Sequence, residues 1–249
     1  LKSLRTENTD AGVAAANWLG LFNSIGSDGM GRKLAKKPVM TLPYGSTLQA
    51  CTSSVFEWMI QEAPDYLEEG TRFTQCVFLS KLLWDSIGEV VVAARVAMKW
   101  IQDCSNVVSK ANLPILYTSP LGFPVFQSSL KANKKIVNGI LGGTRMQVRL
   151  NSYTDDIDPA KQRQGSSPNL VHHVDATHLM MCVNAGLDNG ITSFAMIHDD
   201  FGVLPNHVDD WHSVIREQFI KLHCDADVLA DFKQSLENAG VDLPDVPIR

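Results

Sequence analysis

Two cationic side chains near the start of the chain have the spacing needed to hold a triphosphate. Arg32 and Lys36 are four residues apart, so in a helix they lie on one face. Tyr44 and Gly45 follow, and the tyrosine hydroxyl there could contact a sugar while the glycine lets the backbone approach closely. The simpler alternative is a solvated helix face, where most charged pairs are found.

Two adjacent carboxylates, Asp199 and Asp200, follow the apolar segment 191–197 and precede Val203. The pattern predicts a short strand and a turn. A carboxylate at such a turn can bind a hard cation such as Mg²⁺ through oxygen. Nucleotidyl transfer commonly uses two such ions. The alternative is an ordinary exposed turn, because aspartate is favoured there anyway.

One interpretation of the histidine-rich segment 172–178 is a zinc-binding site. His173 and His178 are five residues apart with Asp175 between them, which differs from the i, i+4 spacing of helical zinc motifs. Polar surface is the simpler interpretation. Asp175 itself is a candidate N-cap for a helix over 176–187.

Composition narrows the class of protein. With 249 residues and 45% hydrophobic content, the chain can bury a core in one large domain or two. The net charge of −5 argues weakly against a nucleic-acid binder, but the basic residues are clustered. They are Arg32, Lys33, Lys36 and Lys37, and then Lys131, Lys134, Lys135, Arg145, Arg149, Lys161 and Arg163.

Cysteine usage and hydropathy give further expectations. The five cysteines are widely spaced without a Cys-x-x-Cys pair, which favours a reducing cytosol over a disulfide framework or zinc ribbon. No segment is long and apolar enough to span a membrane, and the N-terminus does not resemble a signal peptide. Because the chain begins with Leu1, we expect a piece of a longer protein.

The apolar periodicity predicts an α+β fold that is mostly α. The predicted helices are 9–25, 46–63, 73–108 with 90–94 buried at its middle, 176–187 and 207–223. The predicted hairpins are 115–126 and 135–150, and the predicted loops are 26–31 and 154–167. From proline chemistry alone, Pro38 and Pro43 predict helix breaks near Lys37 and Leu42, and a kink or a helix that starts late is the alternative.

Residues 32–46, with Arg-x3-Lys-Lys-Pro-Val-Met-Thr-Leu-Pro-Tyr-Gly-Ser, closely resemble the fingers helix of bacteriophage single-subunit RNA polymerases. Residues 197–202, Ile-His-Asp-Asp-Phe-Gly, resemble the metal-binding palm hairpin of the same family. The resemblance extends from Trp18 to Phe232. It implies part of a right-hand polymerase fold, with fingers over 1–177 and the C-terminal part of the palm over 178–249.

The resemblance also implies roles for individual residues. Lys36 would hold the incoming triphosphate with help from Arg32, and Tyr44 would lie beside the nascent base pair and select ribose. Gly45 would let the backbone approach the template. His178 would read the minor groove near the product 3′ end, where an imidazole can donate or accept.

The same resemblance assigns the metal and the promoter contacts. Asp199 would hold Mg²⁺. Asp200 departs from the serine usual in the family, as a spare ligand or as a side chain that points away. A hairpin over about 128–160 resembles the promoter-specificity loop. The residues that match its base-contacting positions are Lys135, Val137, Arg145 and Gln147, while an ordinary surface hairpin remains the alternative.

The implied function is DNA-templated RNA synthesis, with two Mg²⁺ ions, a DNA template and promoter, nascent RNA and NTPs. The first palm aspartate and the C-terminal foot of the family have no match here. We therefore expect a fragment, or one half of a split enzyme, that is inactive alone. It would act with the N-terminal remainder of a polymerase in the cytoplasm of an infected bacterial host.

Two alternatives stay open at this point. One is a fragment of a bacterial-type DNA polymerase, which shares Arg-x3-Lys-x7-Tyr-Gly. That family typically has Phe or Tyr where Met40 stands, and its palm motif ends in His-Asp-Glu. The other is a catalytically inert nucleic-acid-binding fragment.

Overall fold

The computed structural model describes residues 1–6, 9–25 and 27–247, without the side chains of 27–30. The chain divides into two compact units, Leu1–Met98 and the part from Lys99 onward. The fold is α+β and mostly helical, as predicted. Within the described residues, no helix combines the length and the apolar character needed to cross a membrane.

The first unit is helical. Its helices are α1 (Asp10–Ile25), α2 (Ser27–Thr41), α3 (Leu48–Glu62), α4 (Glu69–Val90) and the start of α5 (Val92–Lys110). They bury a core that includes Trp18, Trp58, Met59 and Leu79. The Trp18 indole donates a hydrogen bond to the Gln75 carbonyl at 3.0 Å, which joins α1 to α4. The helices predicted over 9–25 and 46–63 are confirmed.

Helix α2 corrects two predictions. The loop expected over 26–31 is wrong for its described part, because α2 begins at Ser27; Gly26 lies outside the described residues. The break expected near Lys37 is also wrong, since Pro38 lies inside α2 and its ring is buried. Packing of that ring offsets the hydrogen bond that proline cannot donate. The break near Leu42 is confirmed, because α2 ends there in the 3₁₀ turn Leu42–Tyr44.

The single helix expected over 73–108 is two helices. Val91 ends α4 with its backbone outside the helical region (φ −100°, ψ 53°). The predicted burial of residues 90–94 is also wrong, because Val90 is 83% exposed and Val92 is 53% exposed. Three consecutive β-branched residues lose side-chain freedom in a helix, and the exposure of Val90 and Val92 leaves little burial to offset that cost.

The second unit contains three antiparallel hairpins and three further helices. The strand pairs are β1 (Ile115–Thr118) with β2 (Pro124–Gln127), β3 (Leu130–Leu141) with β4 (Thr144–Ile157), and β5 (Phe194–Ile197) with β6 (Asp200–Val203). The helices are α6 (Pro159–Asp188), α7 (Val208–Asp225) and α8 (Val228–Glu237). The two predicted hairpins, the strand within 191–197 and the helix over 207–223 are confirmed.

Helix α6 is much longer than predicted. The polar loop expected over 154–167 is wrong, because β4 continues to Ile157 and α6 starts at Pro159. Asp158 is the N-cap, with its side chain accepting from the Ala160 and Lys161 amides, so Asp175 is not. The buried Gln162 explains the early start. Its side-chain amide donates to the Gln127 backbone carbonyl at 3.2 Å, and the Gln127 side-chain amide donates to the Gln162 backbone carbonyl at 3.0 Å.

Two clusters form the core of the second unit. One packs Trp100, Tyr117, Leu170 and Phe232 around α5, β1, α6 and α8. The other packs Cys182, Ile191, Trp211 and Val214 beneath the β5–β6 hairpin. All five cysteines of the chain are free thiols, and burial raises the pKa of Cys182 to about 11.

Candidate active site

The four cations of α2 separate into two pairs. Lys33 and Lys37 face α3, where their ammonium groups lie 3.6 Å from Glu62 and 2.5 Å from Glu57. Arg32 and Lys36 form the other pair, and both are exposed. Neither has an ion pair with any residue whose side chain the structure describes. The i, i+4 spacing of Arg32 and Lys36 therefore places two exposed cations on one side of this helix, without an ion-pair partner among the described side chains.

The segment after α2 turns sharply. Tyr44 ends the 3₁₀ turn, and Gly45 follows with a left-handed backbone (φ 81°) whose amide donates to the Leu42 carbonyl. A residue with a Cβ is disfavoured in that conformation, so glycine is needed for the turn itself. Tyr44 is half-buried. The shape of the turn is thus a second reason for a glycine at position 45, beside the close approach of the backbone that the sequence predicts.

In the second unit, Asp199 lies at the tip of the β5–β6 hairpin. His198, which precedes it, has a positive φ of 52°, and Asp200 opens β6 opposite Ile197. All three turn side chains are exposed. Asp199 is thus placed at the strand–turn junction that the sequence predicts, with its carboxylate open to solvent.

The β5–β6 hairpin is fixed from below. Phe194 and Phe201 pack against the cluster that contains Trp211. The Trp211 indole donates a hydrogen bond to the Phe201 carbonyl at 2.9 Å, which attaches α7 to β6. Gly186 of α6 makes this approach possible, because a Cβ there would lie 2.8 Å from Trp211 and 2.9 Å from Phe194.

Asp175 lies in the middle of α6, and its surroundings differ from those of a helix cap. Its pKa is raised, first by partial desolvation and then by the negative charge of Asp199. The nearby His172, His178 and His223 act in the opposite direction. Asp175 is therefore a second carboxylate near enough to Asp199 for the two negative charges to interact. Sequence reasoning missed it, although the spacing of residues 172, 175 and 178 fits one face of a continuous helix.

His178 is held by contacts on two sides. Its Nε2 atom lies 3.0 Å from the Ile215 carbonyl oxygen and 3.3 Å from the Cys182 sulfur. The rings of Phe201 and Phe219 each lie 5.5 Å from the imidazole, measured between centroids. Because a carbonyl only accepts, Nε2 is the donor in its contact with Ile215.

The histidine side chains of the segment 172–178 do not meet at one site. His173 lies against Tyr117 and Phe123, and burial lowers its pKa. His178 instead lies against Phe201 and Phe219. Across the described residues, no group of three His, Cys, Asp or Glu side chains is arranged to hold a metal ion.

The residues predicted to contact DNA lie on both faces of the β3–β4 hairpin. Lys135 pairs with Leu150 and Val137 pairs with Val148, whereas Arg145 pairs with Ile140 and Gln147 with Asn138. Paired residues share a face, and neighbours along a strand alternate between faces. Lys135 and Val137 therefore lie on one face, and Arg145 and Gln147 lie on the other.

Comparison with known proteins identifies similar proteins of one kind, DNA-directed RNA polymerases. The family model for DNA-dependent RNA polymerase matches residues 4–242. The DNA-directed RNA polymerase of Enterobacteria phage K11 is 34% identical over 95% of this chain and 28% of its own length. The DNA-directed RNA polymerase of Enterobacteria phage T3 is 37% identical, over 82% of this chain and 25% of its own length.

Relatives also occur outside phages. The chloroplastic DNA-directed RNA polymerase 3 of Nicotiana sylvestris is 32% identical over 89% of this chain and 22% of its own length. The chain spans about a quarter of the length of the curated relatives it matches.

Proposed function

Since this chain belongs to the DNA-dependent RNA polymerase family, we propose that it is part of an enzyme that copies DNA into RNA. The reaction joins an NMP to an RNA 3′-hydroxyl and releases pyrophosphate. The observation that carries the proposal is the exposed pair Arg32 and Lys36 on α2, which has no ion-pair partner among the side chains that the structure describes. A triphosphate supplies the negative charge that this pair lacks within the described residues.

In this proposal, residues 1–177 serve as fingers and 178–249 as the C-terminal part of the palm. Lys36 holds the triphosphate as a point charge, and Arg32 assists with its planar fork of donors. Tyr44 contacts the sugar and favours ribose, while Gly45 brings the backbone close to the template. Catalysis then comes from positioning and charge stabilisation.

Asp199 is the residue proposed to hold Mg²⁺. The fit is chemical: Mg²⁺ prefers oxygen ligands and is usually bound by one or two carboxylates together with substrate phosphates. Asp199 supplies an exposed carboxylate, and the pKa of Asp175 is raised first by partial desolvation and then by the charge of Asp199, so the two carboxylates add negative charge to the same part of the unit. When bound, the ions activate the attacking hydroxyl and neutralise the leaving phosphate.

His178 is proposed to read the minor groove at the RNA 3′ end. Its contacts with the Ile215 carbonyl and the two phenylalanine rings hold the ring orientation. Minor-groove edges carry acceptors at every base pair, with a donor added at G·C. A fixed imidazole at that position checks base-pair shape without selecting one base. DNA template and promoter, nascent RNA, NTPs and the rest of the polymerase are the partners.

The experiment compares Lys36→Ala with Lys37→Ala in a polymerase that contains this chain. Both variants remove one ammonium from the same helix, but the Lys37 ammonium is already paired with Glu57. Single-nucleotide incorporation on a primed scaffold should fall by about 100-fold in kcat/KM for Lys36→Ala. Lys37→Ala should stay close to wild type, because exposed ion pairs contribute little.

Equal losses in the two variants would contradict the assigned role of Lys36. A preference for dNTPs by the wild-type enzyme would favour the DNA polymerase alternative. An enzyme without any incorporation would favour the inert binding fragment.

A further inference from the structure

Two side chains of the second unit have a buried polar atom that lacks a hydrogen-bond partner. They are Tyr117 of β1, with its hydroxyl oxygen, and His173 of α6, with its Nε2 atom. Both atoms are shielded from solvent, and neither is bonded to any group of the described residues. Tyr117 as a whole is only 3% exposed. Such atoms are rare in folded proteins, because a buried polar group without a partner loses its hydration and nothing compensates for the loss.

The two side chains are neighbours in the core. Their rings meet edge to face, with centroids 5.4 Å apart and planes at 84°. The ring of Phe232 on α8 lies 5.2 Å from the Tyr117 ring, and the ring of Phe123 lies 6.3 Å from the His173 ring, again between centroids. Edge-to-face contacts of this kind favour particular ring orientations. The aromatic packing therefore restrains the directions in which the two unpartnered atoms point.

Tyr117 and His173 line one small cavity. Other parts of its lining are the apolar Leu170 and Phe232 and the exposed Asp231. The centre of a water-sized sphere has about 10 Å³ of room in this cavity. That is about the room that one water molecule needs, and it is far less than the pockets that hold organic ligands. The size of the cavity thus limits its content to a single small molecule.

The charge state of the two groups narrows the choice further. Burial raises the pKa of the Tyr117 hydroxyl to about 12 and lowers the pKa of the His173 imidazole, so both groups are neutral at pH 7. The Asp231 carboxylate is exposed, and its charge is solvated. A neutral hydroxyl donates and accepts, and a neutral imidazole has one donor nitrogen and one acceptor nitrogen. A neutral molecule that can both donate and accept therefore suits the pair in either tautomer of His173.

We propose that this cavity is a binding site for one buried water molecule, which bridges the Tyr117 hydroxyl and the Nε2 atom of His173. Two polar partners are the lower limit for a buried water, and these two atoms supply them. The bridge joins β1 to α6 inside the core. It also gives a role to His173, a member of the histidine-rich segment that takes no part in the proposed reaction. The site is independent of the proposed function, because it involves neither nucleotide nor DNA.

The test compares Tyr117→Phe with Tyr153→Phe in the polymerase that contains this chain. Both changes remove one hydroxyl and keep the ring, but Tyr153 is 65% exposed. Crystal structures that resolve ordered water should show a peak within about 3.2 Å of both atoms in the wild type. The peak should persist in Tyr153→Phe and disappear in Tyr117→Phe. Tyr117→Phe should also lower the melting temperature by about 2–4 °C, because His173 loses its bridge, whereas Tyr153→Phe should leave it unchanged.

The sign of the melting shift separates a hydrated cavity from a dry one. In a dry cavity the hydroxyl is a buried group without a partner, so its removal would raise the melting temperature. A raised or unchanged value for Tyr117→Phe would overturn the inference. A wild-type structure without the water peak would do the same, including one in which the hydroxyl bonds directly to Nε2. Elongation on a primed scaffold, measured for the same preparations, reports separately on the proposed function.

Discussion

Two hairpins of the second unit are built in opposite ways. The β5–β6 hairpin has strands of four residues, and its aromatic side chains pack on the cluster around Trp211. The β3–β4 hairpin has strands of 12 and 14 residues, and its outer part is exposed on both faces. One is short and anchored, while the other is long and projects from its own unit.

The difference fits the roles proposed for the two hairpins. Catalysis loses about a hundredfold when a reacting group is misplaced by about 1 Å, so a metal-binding carboxylate needs a fixed base. Sequence readout needs reach and a particular register of side chains, and it tolerates changes of residue type. An anchored hairpin therefore suits Asp199, and an exposed ribbon suits Arg145 and Gln147.

The largest expected effect is at the tip of the anchored hairpin. Asp199→Ala in the polymerase that contains this chain should abolish elongation on a primed scaffold and leave DNA binding intact. Asp200→Ser should be mild, because Asp200 opens β6 beside the proposed ligand. Robust elongation by Asp199→Ala would remove Asp199 from the metal site.

Loss of the Trp211 side chain, which packs against the β5–β6 hairpin, should have the next largest effect. Trp211→Ala removes a buried indole and leaves the Phe201 carbonyl without its donor. We expect a loss of about 3–5 kcal/mol in the free energy of unfolding. Leu141→Ala on the exposed hairpin should change it by less than about 0.5 kcal/mol. Chemical denaturation followed by circular dichroism measures both, and equal losses would show that the hairpins do not differ in anchoring.

A pair of glycines sharpens the comparison. Gly186→Ala would place a methyl group 2.8 Å from Trp211, so the helix and the ring must separate. The expected cost is about 1–3 kcal/mol. Gly139 of the exposed hairpin has no atom within 4 Å of an added Cβ, and Gly139→Ala should be close to neutral. Thermal melts of the two variants test this, and a tolerated Gly186→Ala would mean that the anchor is loosely packed.

On the exposed hairpin the expected effect is on selectivity and not on stability. Substituting Arg145 or Gln147 by alanine should change base preference at one promoter position by about 1–3 kcal/mol. The melting temperature should not move, because both side chains are exposed. A promoter-library transcription profile identical to wild type would show that these side chains do not read bases.

The smallest effect concerns Asp175, beside the anchored hairpin. The raised pKa of Asp175 means that folding disfavours its charged form, so Asp175→Asn should stabilise the fold slightly at pH 7. The gain should disappear as the pH falls through the raised pKa toward the unfolded value near 3.8. In an Asp199→Ala background the gain should shrink, because Asp199 is one of its causes. An equal gain in both backgrounds, by denaturation at several pH values, would assign the shift to desolvation alone.

Some predictions failed where long-range contacts override local signals. Residues 159–167 look like a polar loop, yet Gln162 is buried and bonded to Gln127, 35 residues away. That contact extends α6 back to Pro159 and places Asp175 in the middle of the helix. Pro38 is similar, because burial of its ring keeps α2 continuous to Thr41. Neither burial can be read from the neighbouring residues.

The sequence by itself determined the local features. Turn chemistry predicted the hairpins, including Asp199 at a strand–turn junction, and apolar periodicity predicted most helices. Only the tertiary structure decided which cations of α2 are paired, which carboxylate lies near Asp199, and what holds His178. The reason is physical: turns and periodicity depend on adjacent residues, whereas ion pairs, burial and charge proximity depend on groups that folding brings together from distant parts of the chain.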